Sequence, residues 1–156
     1  MPAGTSLIRQ FQPEDAELSS ALVCACLKLD PQMAPAVKEE LIRGESPAIM
    51  RERANSFYMA VSIVQGGIAG VAGLDMNEIR LLFVDPERQR QGIGTLLLRH
   101  LEALVPPALF SDIFVYSAPA AVGFYYSHGY RSGGEYAFTV GGLSVATVFM
   151  TKSWGT

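Results

Sequence analysis

Residues 78–98 read EIRLLFVDPERQRQGIGTLLL, and the prediction for the whole chain starts from them. The first seven letters form an apolar run that predicts a β-strand, apolar on both faces toward its end and therefore central in a sheet. Asp85 and Pro86 close this run, and a leucine-rich helix begins after QRQGIG. Gly92 and Gly94 lack a Cβ atom at this turn, so their backbone N–H groups can approach a ligand closely. With the positive end of the helix dipole, they predict an anion site suited to phosphate.

Arg88 and Arg90 add positive charge beside the turn. A glycine-rich turn can instead serve only the close packing of a strand on a helix, and the loop by itself leaves both interpretations open. Two other phosphate motifs do not fit the sequence. A Walker A loop needs a lysine after its last glycine, where Thr95 stands, and a dinucleotide fingerprint needs a third glycine, where Leu97 stands.

The rest of the chain alternates strand and helix patterns, which predicts a mixed α/β (α+β) fold. We expect one domain over residues 1–156, with a central sheet of about six to seven strands flanked by helices. The predicted strands are 6–12, 57–64, 68–75, 78–84, 113–117, 134–140 and 143–152. Five helices are predicted. The first begins at Pro13 and has the apolar stripe Leu18, Leu22, Ala25 and Leu29, and two short helices follow at 36–43 and 48–54. The fourth comes after Gly94 with Leu97, Leu101 and Leu104 on one face, and the last extends from Pro119 to about Gly129.

Composition limits the classes of function. The chain is 49% hydrophobic and 17% charged with a net charge of −3, which indicates a globular protein and argues against a nucleic-acid surface. No apolar run reaches the roughly 18 residues that cross a membrane, and residues 1–10 lack the pattern of a signal peptide. Cys24 and Cys26 lie two apart in a helical pattern, so we expect free thiols. With His100 and His128 as the only histidines, we expect no metal site, and we predict a cytoplasmic protein.

Two motifs occur in order, separated by one predicted strand. Gln89, Gly92 and Gly94 fill the pattern Q/R-x-x-G-x-G/A after the strand that ends V-D-P. Residues 117–130, SAPAAVGFYYSHGY, fill the pattern A-x-x-F-Y-x-x-x-G-F/Y. Its positions are filled by Phe124, Tyr125, Gly129 and Tyr130. The two stretches resemble motifs A and B of the GNAT N-acetyltransferase superfamily, and the resemblance covers about residues 57–152.

The resemblance implies acetyl-coenzyme A as cosubstrate and direct attack of a bound amine on its thioester. It implies that the diphosphate is bound by the loop of Gln89, Arg90, Gln91, Gly92, Ile93, Gly94 and Thr95. It also implies that the strand separates from its neighbour at Leu82, Phe83 and Val84, where the backbone pairs with the pantetheine arm and one N–H stabilises the oxyanion. We therefore predict an N-acetyltransferase that acts on a primary amine of a small molecule. The alternatives are a protein N-terminal or lysine acetyltransferase, with a peptide as substrate, and a non-catalytic acyl-coenzyme A sensor.

The chemistry requires two proton transfers. An alkylamine with a pKa near 10.4 is neutral only about one part in a thousand at pH 7, so its deprotonation costs roughly 4–5 kcal/mol and needs a base or a water relay. Glu78, at the start of the central strand, is the predicted base; alternatively it only pairs with Arg80 or is solvated. Tyr125 matches the position of a tyrosine acid that protonates the leaving thiolate. Alternatively it belongs to an aromatic cluster under the sheet, in which case Tyr126 is the fallback acid.

Several features depart from the family pattern or stay open. Ala118 stands where many members have an asparagine that contacts the cofactor, and we assign no role to His128 or His100. The mixed charges of the first helices favour neither a polycationic acceptor nor a carboxylate-bearing one. The apolar stretch 145–150 is expected at a sheet edge, which makes a homodimer plausible.

Overall fold

The computed structural model describes residues 6–154. Its strands are β1 (Leu7–Gln10), β2 (Tyr58–Val64), β3 (Gly67–Asp75), β4 (Glu78–Val84), β5 (Asp112–Ser117), β6 (Arg131–Val140) and β7 (Leu143–Ser153). Its helices are α1 (Ala16–Leu29), α2 (Pro35–Arg43), α3 (Pro47–Ser56), α4 (Ile93–Leu104) and α5 (Val122–Ser127). The strands form one sheet in the order β1-β2-β3-β4-β5-β7-β6, with β4 at its centre. The predicted mixed α/β fold with a central β4 is confirmed. The expectations for residues 1–5 lie outside the described residues.

Two hairpins form where the glycine pairs predict them. Gln65 and Gly66 both have positive φ, 52° and 79°, and join β2 to β3 by a two-residue turn. Gly141 and Gly142, with φ of 55° and 78°, join β6 to β7 in the same way. Positive φ at both central residues gives a turn whose twist matches that of the flanking strands, so each turn also sets the register of its hairpin.

Helices cover both faces of the sheet and enclose two core clusters. On one face α4 buries Leu97, Leu98 and Leu101 completely, and each buried leucine stabilises the fold by about 1.5–3 kcal/mol. Leu104, predicted on the same stripe, is half exposed, and Leu98 occupies the core instead. On the other face α1 and α3 pack over β2, β3 and β4. None of the helices in the described part of the chain is long and apolar enough to cross a membrane.

The predicted apolar stripe of α1 is partly wrong. Leu18 and Leu29 are 61% and 66% exposed, and only Leu22 of the four residues in that stripe is buried. The buried residues of α1 are Ala16, Ser19, Ser20, Leu22, Val23 and Leu27. Their helical spacing defines a different face, in which small side chains let the helix lie close to α3 and the sheet. Local hydrophobicity indicates the wrong face because close packing selects small residues over leucines.

The prediction for the closing strand is also wrong. β7 lies between β5 and β6 and pairs with both, so stretch 145–150 is inside the sheet and β6 is the edge strand. The hairpin places β6 outermost because β7 turns back and pairs antiparallel with β5, from Asp112↔Ser153 to Ser117↔Val148. The homodimer stays a prediction without this support. Cys24 and Cys26 are free thiols, as expected.

The central strand separates from its neighbour partway along its length. β4 pairs with β3 as far as Gly70↔Val84, but it pairs with parallel β5 only at Glu78↔Phe114 and Ile79↔Val115. Beyond these two pairs the strands diverge. The backbone of β4 from Arg80 onward therefore has a side that no neighbouring strand covers, and this opening positions the site described next.

Candidate active site

A cleft of about 560 Å³ extends from the opening beside β4 to the start of α4. The predicted cofactor-binding residues that line it are Leu82, Phe83, Val84, Gln89, Arg90, Gly92, Ile93, Gly94 and Thr95. Gln91 is exposed and is not among its lining residues. The cleft also includes Tyr125, so the two sequence motifs meet in one place.

The start of α4 has the geometry of an anion site. Gly92 is the N-cap with φ of 81°, and the first helical hydrogen bond is donated by the Leu96 N–H to the Gly92 carbonyl at 3.1 Å. The N–H groups of Ile93, Gly94 and Thr95 precede that bond and have no helical acceptor. They lie at the positive end of the helix dipole. A Cβ atom on Gly92 would meet no protein atom within 4 Å, so the side of the loop at this glycine is open, and these residues fit a diphosphate.

The two glycines of the loop serve different purposes. A Cβ atom on Gly94 would lie 3.3 Å from the ring of Phe124, which is closer than ordinary van der Waals contact. Gly94 is therefore required for the packing of α4 against α5, whereas Gly92 is required for its left-handed backbone. The packing interpretation of the glycine-rich turn applies at Gly94, and the phosphate interpretation stays a prediction at Gly92.

The carbonyl of Val84 has two protein donors at the end of β4. The Cys26 thiol donates to it at 3.1 Å and the side-chain amide of Gln89 at 3.2 Å. Burial raises the pKa of the Cys26 thiol to about 11, and the negative charge of Asp85 contributes to the rise. The thiol therefore remains protonated at neutral pH and acts as a donor that ties α1 to β4.

Tyr125 lies at the inner end of the cleft. Its ring is buried and makes edge contacts with Phe124 at 5.2 Å and Tyr130 at 5.4 Å between centroids. No protein group within residues 6–154 hydrogen-bonds to its hydroxyl. Burial raises the pKa of Tyr125 above its ordinary range, so the hydroxyl keeps its proton. Tyr126 is 72% exposed and is not among the residues that line the cleft.

A second cavity of about 300 Å³ adjoins the cleft. It is lined by residues of α1, α2, α3, α5, β4, β5 and β7. The two cavities share a wall made by Cys26, Asp30, Leu82, Phe83, Ala118, Ala121 and Tyr125. Two ligands, one in each cavity, would therefore meet at β4 and Tyr125.

Glu78 lies apart from this shared wall. It begins β4, opposite Phe114 where β4 and β5 are still paired, and lines neither cavity. Burial raises the pKa of Glu78, an effect that the charge of Arg80 opposes. The Arg80 side chain contacts Asp75 at 3.3 Å, and among the described residues no ion pair joins it to Glu78.

His128, to which the sequence assigns no role, contacts the glycine loop at the start of α4. Its Nε2 atom lies 2.9 Å from the Thr95 hydroxyl, and its ring packs on Phe124 at 4.6 Å between centroids. The partners are 33 residues apart in sequence, so no local pattern points to the contact. His100 instead contacts the Tyr58 hydroxyl at 2.7 Å and lines neither cavity.

Comparisons with known proteins agree with this architecture. An N-acetyltransferase from Rhodopseudomonas palustris related to GCN5 is 24% identical, with a TM-score of 0.91 and 99% of each chain covered. The PaiA N-acetyltransferase of Thermoplasma acidophilum in complex with coenzyme A is 20% identical, with a TM-score of 0.76, covering 97% of this chain and 100% of that one. YncA of Salmonella typhimurium with its cofactor acetyl-CoA is 13% identical, with a TM-score of 0.67, covering 98% and 96%.

At these identities the structural likeness shows the fold. No curated protein sequence matches the chain. The family model of the acetyltransferase (GNAT) domain matches residues 31–151, a span that includes β4, the glycine loop and α5. The chain therefore belongs to the GNAT acetyltransferase family.

Proposed function

We propose that the protein is an N-acetyltransferase that moves the acetyl group of acetyl-coenzyme A to a primary amine of a small molecule. The observation that carries the proposal is the wall shared by the two cavities, where β4 and Tyr125 face both. The similar folds from Thermoplasma acidophilum and Salmonella typhimurium, in structures with coenzyme A and acetyl-CoA, support this use of the cleft.

The cleft offers a separate group for each part of the cosubstrate. The unpaired N–H groups at the start of α4 bind the diphosphate, and Arg90 adds positive charge beside them. The backbone of Leu82, Phe83 and Val84, apart from the Val84 carbonyl that already accepts from Cys26 and Gln89, pairs with the pantetheine arm as a neighbouring strand would. Bound acetyl-coenzyme A supplies the thioester that the amine attacks. Gln91, which is exposed, contributes through its backbone.

The acceptor amine must lose a proton before it attacks. We assign the base role to Glu78, whose raised pKa makes it a better proton acceptor than an ordinary glutamate. Because Glu78 lines neither cavity, the proton reaches it through water. The neutral nitrogen then forms a C–N bond to the acetyl carbon while the C–S bond breaks, and the nitrogen releases its second proton to solvent.

Tyr125 completes the proton balance. Its hydroxyl has no protein acceptor within residues 6–154, and its burial keeps it protonated, so it can donate to the departing sulfur. Glu78 then releases its proton to solvent and Tyr125 takes up one from solvent, which restores the enzyme. The sum is one amide, one thiol and one released proton for each ammonium consumed.

The size of the second cavity supports a small acceptor. Its volume of about 300 Å³ lies at the lower end of the range of small-molecule sites. The free hydroxyl of Tyr125 at the shared wall favours turnover over a sensor that only binds acyl-coenzyme A.

The test combines binding with turnover. Calorimetry measures coenzyme A affinity, and thiol release is then followed with acetyl-coenzyme A, a panel of small amines and peptides with free N-termini or lysines. We expect micromolar binding and thiol release with at least one small amine. Turnover only with peptides would favour a protein acceptor, binding without any turnover would favour the sensor, and no binding would overturn the proposal.

A further inference from the structure

Of the charged side chains that line the second cavity, two are fully paired with each other and two keep free hydrogen-bonding positions. Glu45 and Arg53 form a two-pronged ion pair, with Arg53 Nη2 3.1 Å from Glu45 Oε1, and the same Nη2 donates to the Gly44 carbonyl at 3.2 Å. This pair neutralises itself. Two other charged residues line the cavity, Asp30 and Arg80, and both keep unused hydrogen-bonding capacity.

Asp30 provides a negative charge where the two cavities meet. It caps the C-terminus of α1, and one carboxylate oxygen accepts the Gln32 N–H at 2.8 Å. Within residues 6–154 no group hydrogen-bonds to its other oxygen, and Asp30 is the one charged residue that lines both cavities. An ammonium at the shared wall would therefore lie close to this carboxylate.

Arg80 provides a positive charge in the second cavity alone. A bulge in β4 leaves it without a partner in β3, because Gly73 pairs with Leu81 and Leu74 with Ile79. Its guanidinium lies over the Phe57 ring at 5.1 Å, and its contact with Asp75 at 3.3 Å uses one of five N–H donors. Arg80 is two residues before Leu82, which places it roughly 7 Å farther along the strand from the shared wall.

We infer that the acceptor is a primary amine with an apolar body and a distal carboxylate. Its ammonium lies against Asp30, its body lies along the apolar side chains Met33, Leu41 and Phe57, and its carboxylate binds Arg80. This inference rests on the proposed function, because the position of the reacting nitrogen follows from the shared wall. Arg80 would repel a second positive charge, so polyamines are excluded as good acceptors.

Two matched probes test this assignment. The probes are 4-(2-aminoethyl)benzoate and phenethylamine, which differ only in the carboxylate. We expect kcat/KM to be about three- to tenfold higher for the benzoate, since solvent screens a pair with the partly exposed Arg80 and makes it weaker than a buried pair. Arg80→Gln should remove this preference, so that kcat/KM falls more for the benzoate than for phenethylamine. Asp30→Asn should lower turnover of both probes by about tenfold.

Control variants separate recognition from folding. Arg43→Gln changes an exposed arginine of α2 that lines neither cavity, and it should leave the preference unchanged. Arg80→Lys retains the charge and should restore part of the preference that Arg80→Gln loses. Equal loss on both probes in Arg80→Gln, or no preference in the unchanged protein, would overturn the acceptor assignment while acetyl transfer itself remains measurable.

A binding measurement distinguishes failure of the acceptor assignment from failure of the proposed acetyl transfer. Both probes are titrated into the protein loaded with coenzyme A, with and without Arg80→Gln. If neither probe is acetylated but the benzoate binds more tightly in a manner that depends on Arg80, the acceptor assignment stands and acetyl transfer to these amines fails. If neither probe is acetylated and both bind equally or not at all, the acceptor assignment is overturned.

Discussion

The Nε2 atom of His128 lies 2.9 Å from the hydroxyl oxygen of Thr95, and this hydrogen bond joins the end of α5 to the first turn of α4. The Nδ1 atom lies 2.8 Å from the carbonyl of Phe124 and must donate to it, because a carbonyl only accepts. In the neutral ring Nε2 therefore accepts from Thr95. Since the Phe124 ring also lies against Gly94, His128 contacts the glycine loop both directly, at Thr95, and indirectly, through Phe124.

Replacement of His128 by alanine should weaken coenzyme A binding. Loss of one partly buried hydrogen bond of about 1 kcal/mol loosens the start of α4, so we expect Kd to rise about three- to tenfold, with kcat at saturation little changed. Calorimetry with coenzyme A measures the effect. The double variant of His128→Ala and Thr95→Val should bind coenzyme A as tightly as whichever single variant has the lower affinity, because both substitutions remove the same hydrogen bond. Tyr126→Ala, on the exposed side of α5, is the control; an equal loss there would exclude a specific role for His128.

Replacement of Gly92 by alanine should reduce both stability and cofactor affinity. Its φ of 81° is in the left-handed region, so a Cβ atom costs about 1 kcal/mol of folding free energy. Gly66 is a matched control, with φ of 79° and, as at Gly92, no protein atom within 4 Å of the position that a Cβ atom would take. Denaturant unfolding should show similar losses for Gly66→Ala and Gly92→Ala, and only Gly92→Ala should weaken coenzyme A binding. Equal affinities for the two variants would contradict a phosphate site at Gly92.

Replacement of Tyr125 by phenylalanine should affect the chemical step. Removal of a general acid typically lowers the rate about 10²-fold or more, whereas the ring that packs against Phe124 and Tyr130 is retained. We therefore expect kcat to fall by about 10²-fold while coenzyme A affinity changes less than about twofold. Steady-state kinetics and calorimetry together measure this split. Tyr126→Phe should be neutral, and unchanged kcat in Tyr125→Phe would remove its acid role.

Acid should destabilise the protein through Asp15. The Arg9 guanidinium, 2.8 and 2.9 Å from its two oxygens, holds the pKa of the Asp15 carboxyl below its ordinary value. A lowered pKa in the folded state means that the stabilisation is complete above the unfolded pKa of about 3.9 and is lost as pH falls through the folded value.

Asp15→Asn should therefore lower the free energy of unfolding by about 1–2 kcal/mol at pH 7, an amount limited by the partial exposure of Arg9. The difference between the variant and the unchanged protein should shrink below pH 4. Urea unfolding at several pH values measures it, with Glu52→Gln on the exposed side of α3 as the control. A difference that stays constant from pH 7 to pH 2.5 would contradict the assigned role.

The features that the sequence predicts correctly depend on short-range patterns. The strand at 78–84 is predicted with its bounds because seven successive residues carry the pattern, and the turns at Gly66 and Gly142 because glycine favours positive φ. Features that depend on partners distant in sequence are not predictable in this way. The order of β6 and β7 depends on which strand pairs with β5, and the buried face of α1 depends on how closely it packs on α3.

The residues of the candidate site show the same difference between contiguous motifs and partners that are distant in sequence. The glycine loop and Tyr125 are recognisable because each is part of a contiguous motif, and both line the cleft. The proposed acceptor site is not recognisable from sequence, because Asp30 and Arg80 are 50 positions apart and only the fold places both on the lining of one cavity. Glu78 is singled out by its place at the start of a strand, and only the structure shows that neither cavity reaches it.

The sheet has a narrow connection between β4 and β5, which pair at two positions. Strands β1–β4 form one lobe and β5–β7 another, and the sheet connects them only at Glu78↔Phe114 and Ile79↔Val115. Because few hydrogen bonds join the two lobes, we expect them to rock against each other. A ligand paired to β4 would brace both lobes, so amide protons of β5, remote from the glycine loop, would exchange with deuterium more slowly once it binds.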